Sequence, residues 1–109
     1  MLQEFRSENF VDSNGNPAGG YVDGTGLSIQ WQDGPLGRGA DRQLPNGAFV
    51  ETVIAAALQR IQFYQTASNG KFVCEENQDA IEYLKEGLQR LNDRTRSREQ
   101  RQVEGTHER

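Results

Sequence analysis

Between residues 27 and 32, Leu27, Ile29 and Trp31 alternate with Ser28, Gln30 and Gln32. That strict period of two predicts a half-buried strand. Upstream, Asn14-Gly15, Gly19-Gly20 and Asp23-Gly24 are turn punctuation, so residues 1–30 read as short strands and turns, with "GGYVDGTG" tight enough for a hairpin bend. Downstream the period changes. Apolar positions recur at Phe49/Val50, Val53/Ile54, Ala57/Leu58, Ile61 and Tyr64/Gln65, which is helical spacing. Asn46, after Pro45, is placed to cap a helix starting at Gly47 or Ala48, and "TASNGK" ends that helix at Gly70. Ala55 and Ala56 widen the apolar face, so the helix is expected to touch more than one neighbour.

A second helix opens near Glu75 and runs past Arg98. Its seam is Asn77, Ala80/Ile81, Leu84, Leu88, Leu91, Thr95 and Arg98, in alternating steps of four and three. The short link between the helices predicts an antiparallel hairpin. The expected architecture is α+β: a small N-terminal antiparallel β-sheet followed by a long antiparallel helical hairpin, oligomeric. It is read as one domain over 1–109, with a β-rich and loop part (1–45), the hairpin (46–104) and a tail (105–109). No internal repeat is present.

Size and composition strengthen the expectation of an oligomer. A single small domain of 109 residues buries only about 65% of its unfolded surface. Hydrophobic residues make up 34% of the chain and mean hydropathy is −0.83, which is low for a self-sufficient globule. Partner chains would supply the missing burial. The Gly-rich stretch from Gly34 to Pro45 is then a loop of about a dozen residues, a length that is often functional. Trp31, on the inward face of its strand, is expected to pack in the core or an interface. Arg38, on the glycine-hinged "GPLGRG", is cheap to reposition and is a candidate ligand contact.

Charge is uneven along the chain. Net charge is −4, which argues against general nucleic-acid binding. Residues 75–89 carry five acids against Lys85, whereas residues 90–109 carry six of the 12 basic residues. Arg94, Arg98 and Arg101, at i, i+4 and i+7, project from one side of the second helix. Two readings stand side by side. Early acids and late bases complement the helix macrodipole and make a solvated face. Three guanidinium groups on one face also suit an anion with several oxygens. Asn77 and Arg98 are 21 residues apart, about 31 Å along a straight helix. They cannot grip one small ligand within a single chain, whereas an antiparallel homodimer would bring them together in two equivalent pockets. Phe63 and Tyr64 would add an aromatic plane at that end, so the combination suits a nucleotide.

Catalysis finds no support in the residues. His107 and Cys74, the sole His and the sole Cys, stand at opposite ends of the long helix, and no spacing matches a zinc site. "GTGL" and "GPLGRG" fit neither the phosphate loop nor the dinucleotide-binding fingerprint. No metal and no cofactor is expected. Cys74 reads as a small buried apolar residue. A lone cysteine points to a reducing compartment, no signal peptide is recognisable, and no apolar run approaches the ~20 residues needed to span a membrane, so the expected location is cytoplasmic.

"ENFVDSNGNPAGGYV", "GLSIQWQDGPLG", "PNGAFVETVIAAALQRIQFYQ", "FVCEENQDAIEYLKEGLQRLNDRT" and "VEGTHE" together resemble the phage Thoeris anti-defence sponge proteins. The helical hairpin is similar to that of the anti-CBASS cyclic-nucleotide sponges. The resemblance implies a non-enzymatic binder that sequesters cyclic ADP-ribose isomers, such as glycocyclic ADP-ribose, made by TIR-domain enzymes in the host bacterial cytoplasm. It also implies dimers, in some cases hexamers built from dimers, and in some members a separate site for cyclic di- or trinucleotides. By the same resemblance Phe63 and Asn77 would line the ADP-ribose pocket, with Tyr64 and Phe72 as substitutes for Phe63. Arg94 and Arg98 of a neighbouring subunit would hold the phosphates. Arg38 and Thr106 are candidates for the cyclic-oligonucleotide site. The rival from a different class is a nucleic-acid-binding module using the Arg-rich helix; a scaffold that binds nothing small is a further one.

Overall fold

The computed structural model describes residues 4–101 and 105–107. Val103, Glu104 and Glu108 of the "VEGTHE" string lie outside the described residues. Three strands come first, β1 (Arg6–Val11), β2 (Pro17–Gly24) and β3 (Leu27–Trp31), followed by a short 3-10 turn (Gly39–Asp41) and two helices, α1 (Val50–Gly70) and α2 (Glu75–Gln100). This is the α+β order expected: an antiparallel sheet, then helices. By compactness the chain forms two units. One holds the chain up to Phe49 together with the segment from Arg98; the other runs from Val50 to Ser97.

The first unit is built on a sheet of order β1-β2-β3. Asp12 closes the first hairpin. Its carboxylate accepts from the backbone N–H groups of Asn14 (2.9 Å) and Asn16 (3.0 Å), and these bonds hold the carboxyl below its usual range, Asn16 contributing most. β2 and β3 are joined across Thr25-Gly26 and pair Gly20 with Trp31 and Val22 with Ile29. The Asp23-Gly24 and Gly19-Gly20 signals therefore do not mark turns: both dipeptides lie within β2. Gly20 is in the strand because β1 bulges opposite it, between Asn9 and Val11. Its φ is +147°, and a side chain there would collide with the Glu8 carbonyl oxygen.

The long loop after β3 is clasped at its base by two side-chain amides. Gln32 Oε1 accepts from the backbone N–H of Asn46 (2.8 Å) and of Gly47 (3.3 Å). Asn46 returns the bond: its Oδ1 accepts from Asp33 N–H at 2.8 Å and its Nδ2 donates to the Asp33 carbonyl at 3.0 Å. Asn46 is thus spent on the clasp and does not cap α1, which starts at Val50, three residues later than the earliest expected position. Ala48 forms a bridge to Trp31, and Gly47 passes so close that a Cβ would lie 2.6 Å from the Trp31 carbonyl carbon. Trp31 itself is half-buried.

In the second unit the seam of α2 is as expected. Asn77, Ala80, Ile81, Leu84, Leu88, Leu91 and Thr95 are each buried or half-buried, and most positions between them are exposed. α1 protects Val53, Ile54, Leu58 and Ile61, while Ala55, Ala56 and Ala57 remain exposed. Regular helix ends before Ala67, which is extended, and Ser68 and Asn69 take positive φ (51° and 57°). Among the described residues only Val22, Leu58 and Ile81 are buried hydrophobics. Phe63, Tyr64, Phe72, Val73 and Tyr83 all remain exposed.

Candidate functional site

Where α1 gives way to α2, a glutamine ties the two together. Gln65 Nε2 donates to the Cys74 carbonyl and its Oε1 accepts from the Cys74 N–H, both at 3.2 Å. Cys74 stands just before α2 and caps it: its Sγ accepts from the Asn77 N–H at 3.4 Å. The residue is half-buried and caps a helix, where a small buried apolar residue was expected. Asn77 then donates from Nδ2 to Gln65 Oε1 at 3.3 Å, which leaves the half-buried Asn77 anchored within the first turn of α2.

Phe63 is on a different side of α1. It is two positions before Gln65, so the two side chains point nearly opposite ways round the helix, and Phe63 is exposed where Gln65 is half-buried. Among the described contacts none joins Phe63 to Asn77. What Phe63 meets instead is Arg60, whose guanidinium carbon lies 5.0 Å from the Phe63 ring centre and 5.1 Å from that of Tyr64, within cation–π range. Arg60 Nε also donates to the Tyr64 hydroxyl at 3.3 Å. Phe72 in the turn is exposed beside Lys71.

Arg94 is on the same unbroken helix as Asn77, 17 residues further on, or about 26 Å at the helical rise. No small ligand spans that distance. Arg94 is exposed, Arg98 half-buried, and Arg101 falls one residue beyond the end of α2. Arg98 Nη2 donates to the Thr106 carbonyl at 2.6 Å, so the structure joins two residues that the resemblance assigned to different sites. Arg38 sits before the 3-10 turn, on the loop that the Gly37 N–H ties to the Gly105 carbonyl at 2.8 Å. The strand-end loop carrying Arg38 and the segment carrying Thr106 are therefore neighbours in the first unit.

Two open depressions on the sheet contain none of these residues. One, of about 670 Å³, is edged by Arg6, Asp23 and Leu27; the other, of about 360 Å³, by Phe10, Tyr21 and Trp31. Among the described residues no group of His, Cys, Asp and Glu is arranged to hold a metal ion, and no helix is long and apolar enough to cross a membrane. Arg60 and Gln65 are the functional candidates that sequence reasoning missed. The spacing of Arg60, three and four residues before Phe63 and Tyr64, was a readable signal for the ring contacts. Nothing local signalled the bonds of Gln65, whose partners are 9 and 12 residues away.

Comparison with known proteins places these residues in context. No protein-family model matches the chain. Over 63 residues, or 58% of its length, the chain is 51% identical to "Thoeris anti-defense 1" of Bacillus phage SBSphiJ7. The aligned region is 42% of that relative, so the chain spans less than half of the curated protein it matches. The match bears out the resemblance to the phage Thoeris anti-defence proteins.

Proposed function

We propose that this protein is a non-enzymatic sponge that captures cyclic ADP-ribose-type signals made by TIR-domain enzymes, glycocyclic ADP-ribose among them, and so blocks Thoeris defence in the host cytoplasm. The observation that carries the reading is its 51% identity to a protein named for Thoeris anti-defence. The geometry adds a constraint on how such a site is assembled. Asn77 is fixed at one end of α2 and Arg94 is near the other, so a pocket using both takes them from two copies of the chain. The helices would pack as a hairpin and pair antiparallel in a homodimer, or in a hexamer made of three dimers. The exposed Phe72, Val73 and Tyr83 are apolar surface that such pairing would cover.

In this pocket Asn77 hydrogen-bonds the ligand, Arg94 and Arg98 of the second copy neutralise the diphosphate, and an exposed ring stacks on the base. Phe63 fills the last role if Arg60 moves off its face; Phe72 is already at the turn. Arg38 and Thr106, on neighbouring segments of the first unit, form the candidate second site for cyclic di- or trinucleotides. No cofactor takes part, because capture needs only binding. Holding a signal below its effector's threshold requires a nanomolar Kd, about −12 kcal/mol.

The test is capture and release. The protein is incubated with the product of a TIR-domain enzyme, freed of unbound ligand and heat-denatured, and the released material is analysed by mass spectrometry and applied to the effector. Intact cyclic ADP-ribose, lost on Asn77→Ala or Arg98→Ala, supports the reading. A hydrolysed product makes the protein an enzyme. If nothing is captured and polynucleotides bind with a steep salt dependence, the Arg-rich helix is a nucleic-acid interface instead.

A further inference from the structure

The polarity of the Asn77 amide can be worked out from the backbone outward. A backbone N–H only donates and a backbone carbonyl only accepts. Gln65 is bonded to both of these groups on Cys74, so its Oε1 must face the N–H and its Nε2 the carbonyl. The reverse orientation would set oxygen against oxygen and N–H against N–H. Gln65 Oε1 is also the atom that Asn77 approaches at 3.3 Å. Since that atom is an acceptor, the Asn77 atom facing it is Nδ2, and Oδ1 is the other branch of the amide. Among the described residues, Oδ1 accepts no hydrogen bond.

We propose that Gln65 is a positioning residue which fixes the Asn77 carboxamide so that Oδ1 is presented to the ligand. Asn77 then reads a donor, either an exocyclic amine of a base or a ribose hydroxyl, and not a phosphate oxygen. The inference rests on Asn77 being a ligand contact and deepens that reading by naming the chemical group it selects. It also separates the two ends of the pocket: the carboxamide accepts from base or sugar, and the guanidinium groups take the anion.

Two substitutions divide positioning from mere support. Gln65→Leu removes every bond. Gln65→Glu keeps an acceptor for the Cys74 N–H and for Asn77 Nδ2, but loses the bond to the Cys74 carbonyl. Both variants are expected to melt below the parent. Calorimetry with a cyclic ADP-ribose isomer is expected to show affinity falling roughly three- to tenfold in Gln65→Leu, the worth of one ordered hydrogen bond, and staying within about twofold in Gln65→Glu. Affinity that follows the melting temperature through both variants would overturn the proposal.

A second measurement needs no ligand. In ¹H–¹⁵N spectra of the ligand-free protein, the Asn77 side-chain amide should exchange slowly with water and revert to solvent-like exchange in Gln65→Leu. The Gln65 amide should remain protected in Asn77→Ala. An Asn77 signal indifferent to Gln65→Leu would refute the positioning role whatever binds. If the parent protein takes up no cyclic ADP-ribose, the ligand reading fails, and these spectra still decide whether Gln65 sets the Asn77 polarity.

Discussion

Single residues in this chain act mostly through short hydrogen bonds made by side-chain amides and carboxylates. Asp12 is an instance with a pH signature. Its folded pKa lies below the reference value of 3.8, chiefly through the Asn16 N–H bond. A depressed carboxylate contributes stability above the unfolded pKa and loses it as pH falls through the folded value. The amide protons of Asn14 and Asn16 should therefore move together as acid removes the turn's acceptor, at a lower pH than an unperturbed Asp carboxyl titrates. Gly47 makes a steric prediction instead. Because a methyl group there would press on the Trp31 and Gln30 carbonyls, Gly47→Ala should cost about 1–3 kcal/mol, read as a lower denaturation midpoint. Gly87, on α2 with nothing near its Cβ position, should instead accept alanine with a gain of about 0.5–1 kcal/mol.

At the scale of elements, α2 concentrates the stability of the second unit in one face. Ile81 is 4% exposed, the most buried apolar side chain among the described residues. Ile81→Ala should cost about 2–5 kcal/mol, and Leu88→Ala, half-buried, distinctly less in the same thermal melt. The acids Glu75 and Glu76 in the first turn and Arg98 in the last suit the helix dipole. The bland reading of the charge gradient therefore accounts for part of it, and an anion role for Arg94 and Arg98 is needed only if a ligand is bound. α1 is different in kind. Its Ala55–Ala57 run is exposed, so this part of the helix is not covered by any of the described residues.

For the whole molecule, few of the described side chains are buried and many large apolar ones are exposed. If the pocket is shared, sedimentation should give a mass above the 12.2 kDa of one chain. A mixing experiment is more specific. Asn77→Ala and Arg94→Ala chains each lack one half of every pocket in their own homodimers, yet a mixed dimer contains one pocket with both halves intact. Co-refolding the two should restore ligand capture toward half of the parent capacity per dimer, after correction for the homodimers that re-form. Capture that stays absent after exchange, or a parent of monomeric mass, would rule out a pocket built from two chains.

Elements whose signal is burial were legible along the chain. The alternation in "LSIQW" became β3 and the heptad steps from Asn77 became the protected face of α2, because a period of two or of about 3.5 is how an apolar surface is written into a linear order. The break at residues 67–70 was legible for a related reason: few residues tolerate the backbone angles a reversal needs. The side-chain amides were not legible. Asn46 looked like a cap by local rules, and only folding brought the Asp33 backbone close enough to claim its carboxamide. Gly19-Gly20 looked like a turn, and a bulge in the partnering strand made it part of β2. Gln65 sits in an apolar series and gives no local sign of holding Cys74 and Asn77. An amide can bond to any donor or acceptor within reach, so its partner is chosen by whatever the tertiary structure brings alongside.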